Sequence, residues 1–290
     1  MLRPSILVPL LAASIVAVTA RAAEPPRVVA SIGPLQSLVA AVMDGVAEPV
    51  ALARAGGSPH VAHLRPSEAA ALAAADIVFW IGPALETYLA RPLASLDGPT
   101  VVTLIDSPGL ALHTAREGGD IDPHVWLDPI NAAVIAHTAA AALATADPGR
   151  AATYRTNAAA FGDRVDRLDQ DIATMLAPVR GVAFLTFHDA YLYFERRYGL
   201  AGIGAVAIRV GQPQSARHIA ALRARIRDDN VRCLFTEPEF ASALVETLIE
   251  DARVTVATLD PLGSAVPPGP EAYATMLRAD AQTIADCLGN

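Results

Sequence analysis

Apolar residues fall in short runs along this chain, each closed by a polar or glycine-containing turn. RVVASI, PVALARA, DIVFWIG and TVVTLI in the first half read as buried strands, as do GVAFLTF, GIGAVAI, VRCLFT and RVTVATL in the second. Between them the period changes to that of helices. LQSLVAAVMDG, SEAAALAAA (opened by Pro66-Ser67-Glu68), INAAVIAHTAAAAL, AYLYFERRYG, SARHIAALRARIRDD and SALVETLIEDA fill the gaps. Alternation of this kind predicts an α/β protein whose parallel sheets carry helices on their faces.

One segment breaks the alternation. Asp147-Pro148 opens a helix with proline at its first position, and Pro178 closes it. Tyr154, Ala158, Phe161, Val165, Leu168, Ile172 and Met175 recur between them at spacings of three and four, one apolar stripe on a helix of about 30 residues. Three heptads flanked by a domain on each side suit a helix packed across two lobes better than a coiled coil with another chain. The predicted architecture is therefore two lobes, each a parallel sheet flanked by helices, joined by one long rigid helix. The expected boundaries are 1–22 for a leader, 23–146 for the first lobe, 147–178 for the connecting helix and 179–290 for the second lobe.

The leader is read from Arg3, an apolar stretch near Ile6–Val18, and Ala20-Arg21-Ala22. This is the layout of a cleavable secretory signal, and the stretch is shorter than the roughly 20 residues a membrane span needs. Without Arg3 and Arg21 the chain keeps 20 basic against 30 acidic residues, a net charge near −10. That balance argues against a nucleic-acid surface. The chain has no lysine, which rules out a Walker A loop and Schiff-base chemistry. In an exported protein the isolated pair Cys233 and Cys287 reads as a disulfide tying the carboxy-terminal helix to the second lobe.

Candidate chemistry sits where strands end. His60 follows PVALARA through GGSP, His124 lies in IDPHVWLDP after the fourth strand, His188 ends GVAFLTF, and Asp260 ends RVTVATL. Ligands of parallel sheets bind in the crevice beyond the carboxyl ends of the strands, so these loops, two from each half, are placed where they could open onto one crevice. Three imidazoles and a carboxylate suit a borderline divalent cation. A strand-end histidine also reads as a structural group at a helix start, and spacing does not choose between the two. Glu237 ends VRCLFT, as an acceptor for a ligand imidazole or as a cap. Trp126 and Tyr191 are expected to shield the site and Asp189 to cap a helix. His137 and His218 are read as structural or surface residues. His63, three residues after His60, is within reach of the site but reads the same way, and the sequence assigns His113 no role.

GGSPHVAHLRPSEAAALAAADIVFWIG, PHVWLDP, FHDAYLYFERRYGL, FTEPEF and TLDPLG occur in order across the mature chain. In these stretches it resembles the zinc/manganese solute-binding proteins of ABC importers (cluster A-I), and among them the periplasmic zinc-uptake binding proteins. The resemblance implies that His60, His124 and His188 are metal ligands, with Asp260 the fourth or beside a water in that place. It implies a Cys233–Cys287 disulfide, a periplasmic monomer, and a membrane permease and ATPase as partners. Histidine rather than a carboxylate at position 188 favours Zn²⁺ over Mn²⁺. Two features depart from the family. Pro59 stands where some zinc members have Glu, and the loop LALHTAREGGDIDPH is short, with His113 its one histidine before His124. The alternatives are a manganese-binding or adhesive member of the same family, and a secreted zinc hydrolase. The hydrolase is disfavoured by the absence of H-E-x-x-H and G-x-S-x-G.

Overall fold

The computed structural model describes residues 24–52, 57–116, 118–207, 210–212, 214–240, 243–250 and 252–289. The leader expected over 1–22 lies outside them, as do the end of PVALARA and the end of GIGAVAI.

Each of the eight apolar runs supplies a strand. β1 (Val28–Ala30), β2 (Val50–Ala51), β3 (Ile77–Trp80) and β4 (Thr100–Thr103) form one parallel sheet in the order β2-β1-β3-β4. β5 (Ala183–His188), β6 (Ala201–Ala207), β7 (Cys233–Thr236) and β8 (Thr255–Thr258) form a second in the order β6-β5-β7-β8. The two orders are the same, so the lobes repeat one topology. In both, the central strands are buried on both faces, which is why they read as unbroken apolar runs. Val29 stands opposite Val78 in the first sheet and Phe184 opposite Cys233 in the second.

The helices are α1 (Gly33–Val42), α2 (Pro66–Ala74), α3 (Thr87–Ala94), α4 (Pro129–Ala146), α5 (Ala151–Leu176), α6 (Leu192–Tyr198), α7 (Ala216–Asp228), α8 (Ala243–Ile249) and α9 (Ala272–Gly289). Their starts follow local chemistry. The Asp128 carboxylate accepts the Ile130 N–H ahead of Pro129, Ser215 accepts the His218 N–H, and Glu68 accepts the Arg65 N–H. Helix α3 was missed because Pro92 interrupts an otherwise short pattern.

The long helix is shorter than the proline positions suggest. Single 3₁₀ turns at Pro148–Arg150 and Ala177–Val179 flank α5, whose 26 residues span about 39 Å. The predicted stripe is buried through Tyr154, Ala158, Phe161, Val165, Leu168 and Ile172. At its end Leu176 takes the core position and Met175 is half-buried. The stripe packs against α1, α4 and α9 of the same chain. Burial of each large side chain contributes about 1.5–3 kcal/mol, so the helix is fastened to both lobes along its length. One hydrophobic cluster runs from Val28 in β1 through α5 to Leu288 in α9.

The lobes also meet directly. Trp126 Nε1 donates to the Pro261 carbonyl at 2.8 Å, and the Tyr273 hydroxyl donates to the Trp126 carbonyl at 2.7 Å. At Gly33 an added Cβ would stand 2.8 Å from the Leu262 carbonyl oxygen, so α1 and the loop after β8 approach as closely as only glycine permits. A disulfide joins Cys233 in β7 to Cys287 in α9, with Cα atoms 6.3 Å apart.

Candidate metal centre

The strand ends converge. His60 on the loop between β2 and α2, His124 on the loop between β4 and α4, and His188 at the end of β5 each offer one ring nitrogen. These atoms lie within 4.8 Å of one another. His60 Nε2 is 3.2 Å from His124 Nε2. Two nitrogens of a tetrahedral zinc site with 2.0–2.1 Å bonds stand about 3.3 Å apart, so this separation fits a shared cation. The ring centroids are 4.8–5.2 Å apart and the planes are strongly inclined to one another, so the imidazoles meet at their edges rather than stacking.

Two of the rings are oriented by carboxylates. Asp122 Oδ1 lies 2.7 Å from His124 Nδ1 and also accepts the His124 backbone N–H at 2.9 Å. Glu237 brings its two oxygens to 3.2 and 3.3 Å from His188 Nδ1. An Nδ1 proton held by a carboxylate leaves the Nε2 lone pair free for a metal. Asp122 was missed in the sequence. Its signal was an acid two residues before a candidate ligand, the spacing at which an aspartate folds back on the chain.

The electrostatics differ between rings. Burial, then the neighbouring His124 and His188, push His60 down to about 2. At His188 burial also opposes charge, but the charge and hydrogen bond of Glu237 outweigh it and hold the imidazole above its usual value. The neutral His60 keeps a metal-free cluster from carrying three positive charges in one small volume.

Ser58, Pro59, Trp126, Glu237, Glu239, Phe240, Pro261 and Leu262 close a cavity around the histidines. Its volume is about 10 Å³, room for one water or one ion and far below the few hundred Å³ of an organic-ligand pocket. Trp126 stands 5.4 Å from His124 and Phe240 5.8 Å from His188, centroid to centroid. On the other side the histidines edge an open cleft of about 660 Å³ with Arg116, Asp122 and Asp189. Tyr191 is fully buried and donates to Asp280, away from the cavity lining.

Asp260 is not among the converging ligand atoms. Its Oδ2 accepts the Ser264 hydroxyl at 2.8 Å and the Ala265 N–H at 3.0 Å, while Oδ1 is buried with no partner among the described residues. Asp189 does not cap α6, whose N-cap is Tyr191. Instead it pairs with Arg116 at 2.9 Å, and Arg116 also reaches Glu195 at 2.5 Å and the Gly202 carbonyl at 2.8 Å. A cross-lobe ion pair outcompeted the cap because the buried Glu195 carboxylate needs a cation. His63 and His137 are exposed, His218 bonds the Val206 carbonyl, and the His113 ring lies 4.9 Å from that of Tyr193.

A family model described as zinc-uptake complex component A, periplasmic, matches residues 28–287. The chain belongs to this family. A high-affinity zinc uptake system protein ZnuA from Brucella abortus (strain 2308) is 34% identical, over 92% of this chain and 93% of its own length. One from Paracoccus denitrificans (strain Pd 1222) is 35% identical, over 100% and 99%. The crystal structure of a ZnuA deletion mutant with zinc bound superposes with a TM-score of 0.80 at 27% identity, covering 91% of this chain and 98% of that one. The fold expected from the alternation of strands and helices is the fold of this family. The family is one of periplasmic components of a zinc-uptake complex, so this chain is a transport component.

Proposed function

We propose that this protein captures Zn²⁺ in the periplasm and delivers it to the membrane permease and ATPase of an ABC importer. The residues 1–22 act as a cleaved export signal and the mature chain works as a monomer. His60, His124 and His188 bind the cation through Nε2, and Asp260 is the fourth ligand through Oδ1. The convergence of three imidazoles from both lobes on an ion-sized cavity carries this reading. The unpartnered Oδ1 of Asp260, on the same loop as the cavity residues Pro261 and Leu262, supports the fourth assignment. Three nitrogen donors favour zinc over manganese, which prefers oxygen ligands and higher coordination. Relatives named for high-affinity zinc uptake point the same way.

The test is metal content after native purification, followed by Zn²⁺ against Mn²⁺ competition on stripped protein, with His188→Ala beside the parent. One zinc per chain, preferred over manganese and lost in the variant, is expected. A variant that holds zinc as tightly as the parent would sink the assignment.

A further inference from the structure

The loop after β7 begins Glu237-Pro238-Glu239-Phe240 and puts two carboxylates on the wall of the histidine cavity. Their situations are opposite. Glu237 is engaged at His188 Nδ1. Both oxygens of Glu239 are sealed from solvent, and neither has a hydrogen-bond partner on another described residue. A carboxylate withdrawn from water without donors is one of the costliest groups a protein can hold, and such groups survive when they are paired or bind a cation. No arginine is in the cavity lining. The ring stack of Phe240 on Phe187, 4.9 Å between centroids, pins the residue next to Glu239 and with it the course of the loop.

Three imidazoles do not complete the coordination of a divalent ion. Asp260 answers that need with one oxygen, since its other is held by Ser264 and the Ala265 N–H. Glu239 has two oxygens with no partner on another described residue and a longer side chain, and it sits in the lining of the cavity itself, where Asp260 does not. Like Asp260 it stands outside the group of three ring nitrogens, so it would have to swing in to reach the cation. We propose that Glu239 is a metal-binding residue of this centre, supplying a carboxylate oxygen to the cation held by His60, His124 and His188. This rests on the zinc-binding reading above and adds a ligand to it. The centre then has two carboxylates for its non-histidine positions, one on the loop after β7 and one on the loop after β8.

The experiment compares the parent with Glu239→Gln, Glu239→Asp, Asp260→Asn and His188→Ala. It uses the whole mature protein, stripped of metal and titrated with Zn²⁺ against a competing chelator and with Co²⁺ by visible absorption. Glu239→Gln is expected to weaken Zn²⁺ by about tenfold or more, the scale at which even groups that only support a ligand act. It is also expected to change the position and intensity of the Co²⁺ ligand-field bands, with Glu239→Asp recovering part of both. The metal-free Glu239→Gln protein is expected to melt no lower than the parent, because an unpaired buried carboxylate has been removed. Unchanged affinity overturns the proposal, and so does weaker affinity with an unchanged Co²⁺ spectrum, which shows only a nearby charge. His188→Ala separates the two levels. If it binds zinc like the parent, the centre itself is misassigned. If it loses zinc while Glu239→Gln does not, only the role of Glu239 fails.

Discussion

The carboxylate of Asp122 holds both the ring and the backbone of His124, at 2.7 and 2.9 Å through a single oxygen. One acid thereby sets the direction of the imidazole and the proton on Nδ1, leaving Nε2 facing His60. Replacing Asp122 with Asn keeps the size but can present an N–H to Nδ1, favouring the wrong tautomer. Zinc affinity is expected to fall about 10–100-fold in Asp122→Asn with little loss of fold. Chelator competition and circular dichroism on the same samples check both halves of the statement.

Protons and metal compete for the histidines. His188 is held above its ordinary value by Glu237, so its proton must be displaced at a higher pH than a free histidine would require, whereas His60 is neutral down to about 2. Zinc affinity is therefore expected to fall as pH drops, beginning above 6.5. In Glu237→Gln that onset moves to lower pH, while affinity at pH 8 is weaker because the ring loses its anchor. Zinc titrations from pH 5 to 8 read both changes.

Burial pushes Asp280 up to about 7, against the hydrogen bonds it receives from the Asp260 N–H and Tyr191. A carboxyl raised in the folded state contributes stability below its unfolded value near 3.8 and loses it as pH rises through 7. Asp280→Asn removes this loss. Relative to the parent it should gain stability between pH 4.5 and pH 8, measured by urea unfolding of metal-free protein.

Alanine at Gly33 tests the contact between lobes. At an ordinary helix start the change would be favourable by up to about 1 kcal/mol. Here the new Cβ meets a backbone oxygen of Leu262 at 2.8 Å, so the loop after β8 must move. A loss of about 1–3 kcal/mol is expected, together with weaker zinc binding, because that loop carries Asp260 and Pro261. A stabilised variant with unchanged zinc affinity would contradict it.

The Cys233–Cys287 bond closes a separation of 54 residues, and the chain-entropy model assigns such a loop about 4 kcal/mol. Cys233→Ala/Cys287→Ser is expected to lose no more than that, seen as a lower denaturation midpoint. Cys233 begins β7, at the end away from the loop that lines the histidine cavity, so zinc affinity should stay within a few-fold of the parent.

The strands were legible because both sheets are parallel and covered, which forces continuous apolar runs such as DIVFWIG and VAFLTF. The stripe on α5 was legible for the same reason, since one face of a single helix is buried from end to end. Its terminal residue was misread because proline marks where a helix must have stopped, and the α-helix gives way after Leu176 to the 3₁₀ turn Ala177–Val179 that contains Pro178. The histidines could be named because His188 closes a strand and His60 and His124 lie in loops that follow strands, all on the ligand side of a parallel sheet. Glu239, Asp122 and Arg116 could not be placed so. Glu239 acts through the absence of a partner, Asp122 through a local fold-back, and Arg116 through groups 73 to 86 residues away. None of the three leaves a periodic trace.

Helix α5 also limits how the cargo leaves. Its stripe is shared by α1, α4 and α9, so swinging the halves apart would strip several large side chains of cover at about 1.5–3 kcal/mol each. On the proposed delivery role, the ion departs through the yielding of short loops around it, and a docking partner would pull those loops rather than prise the body open.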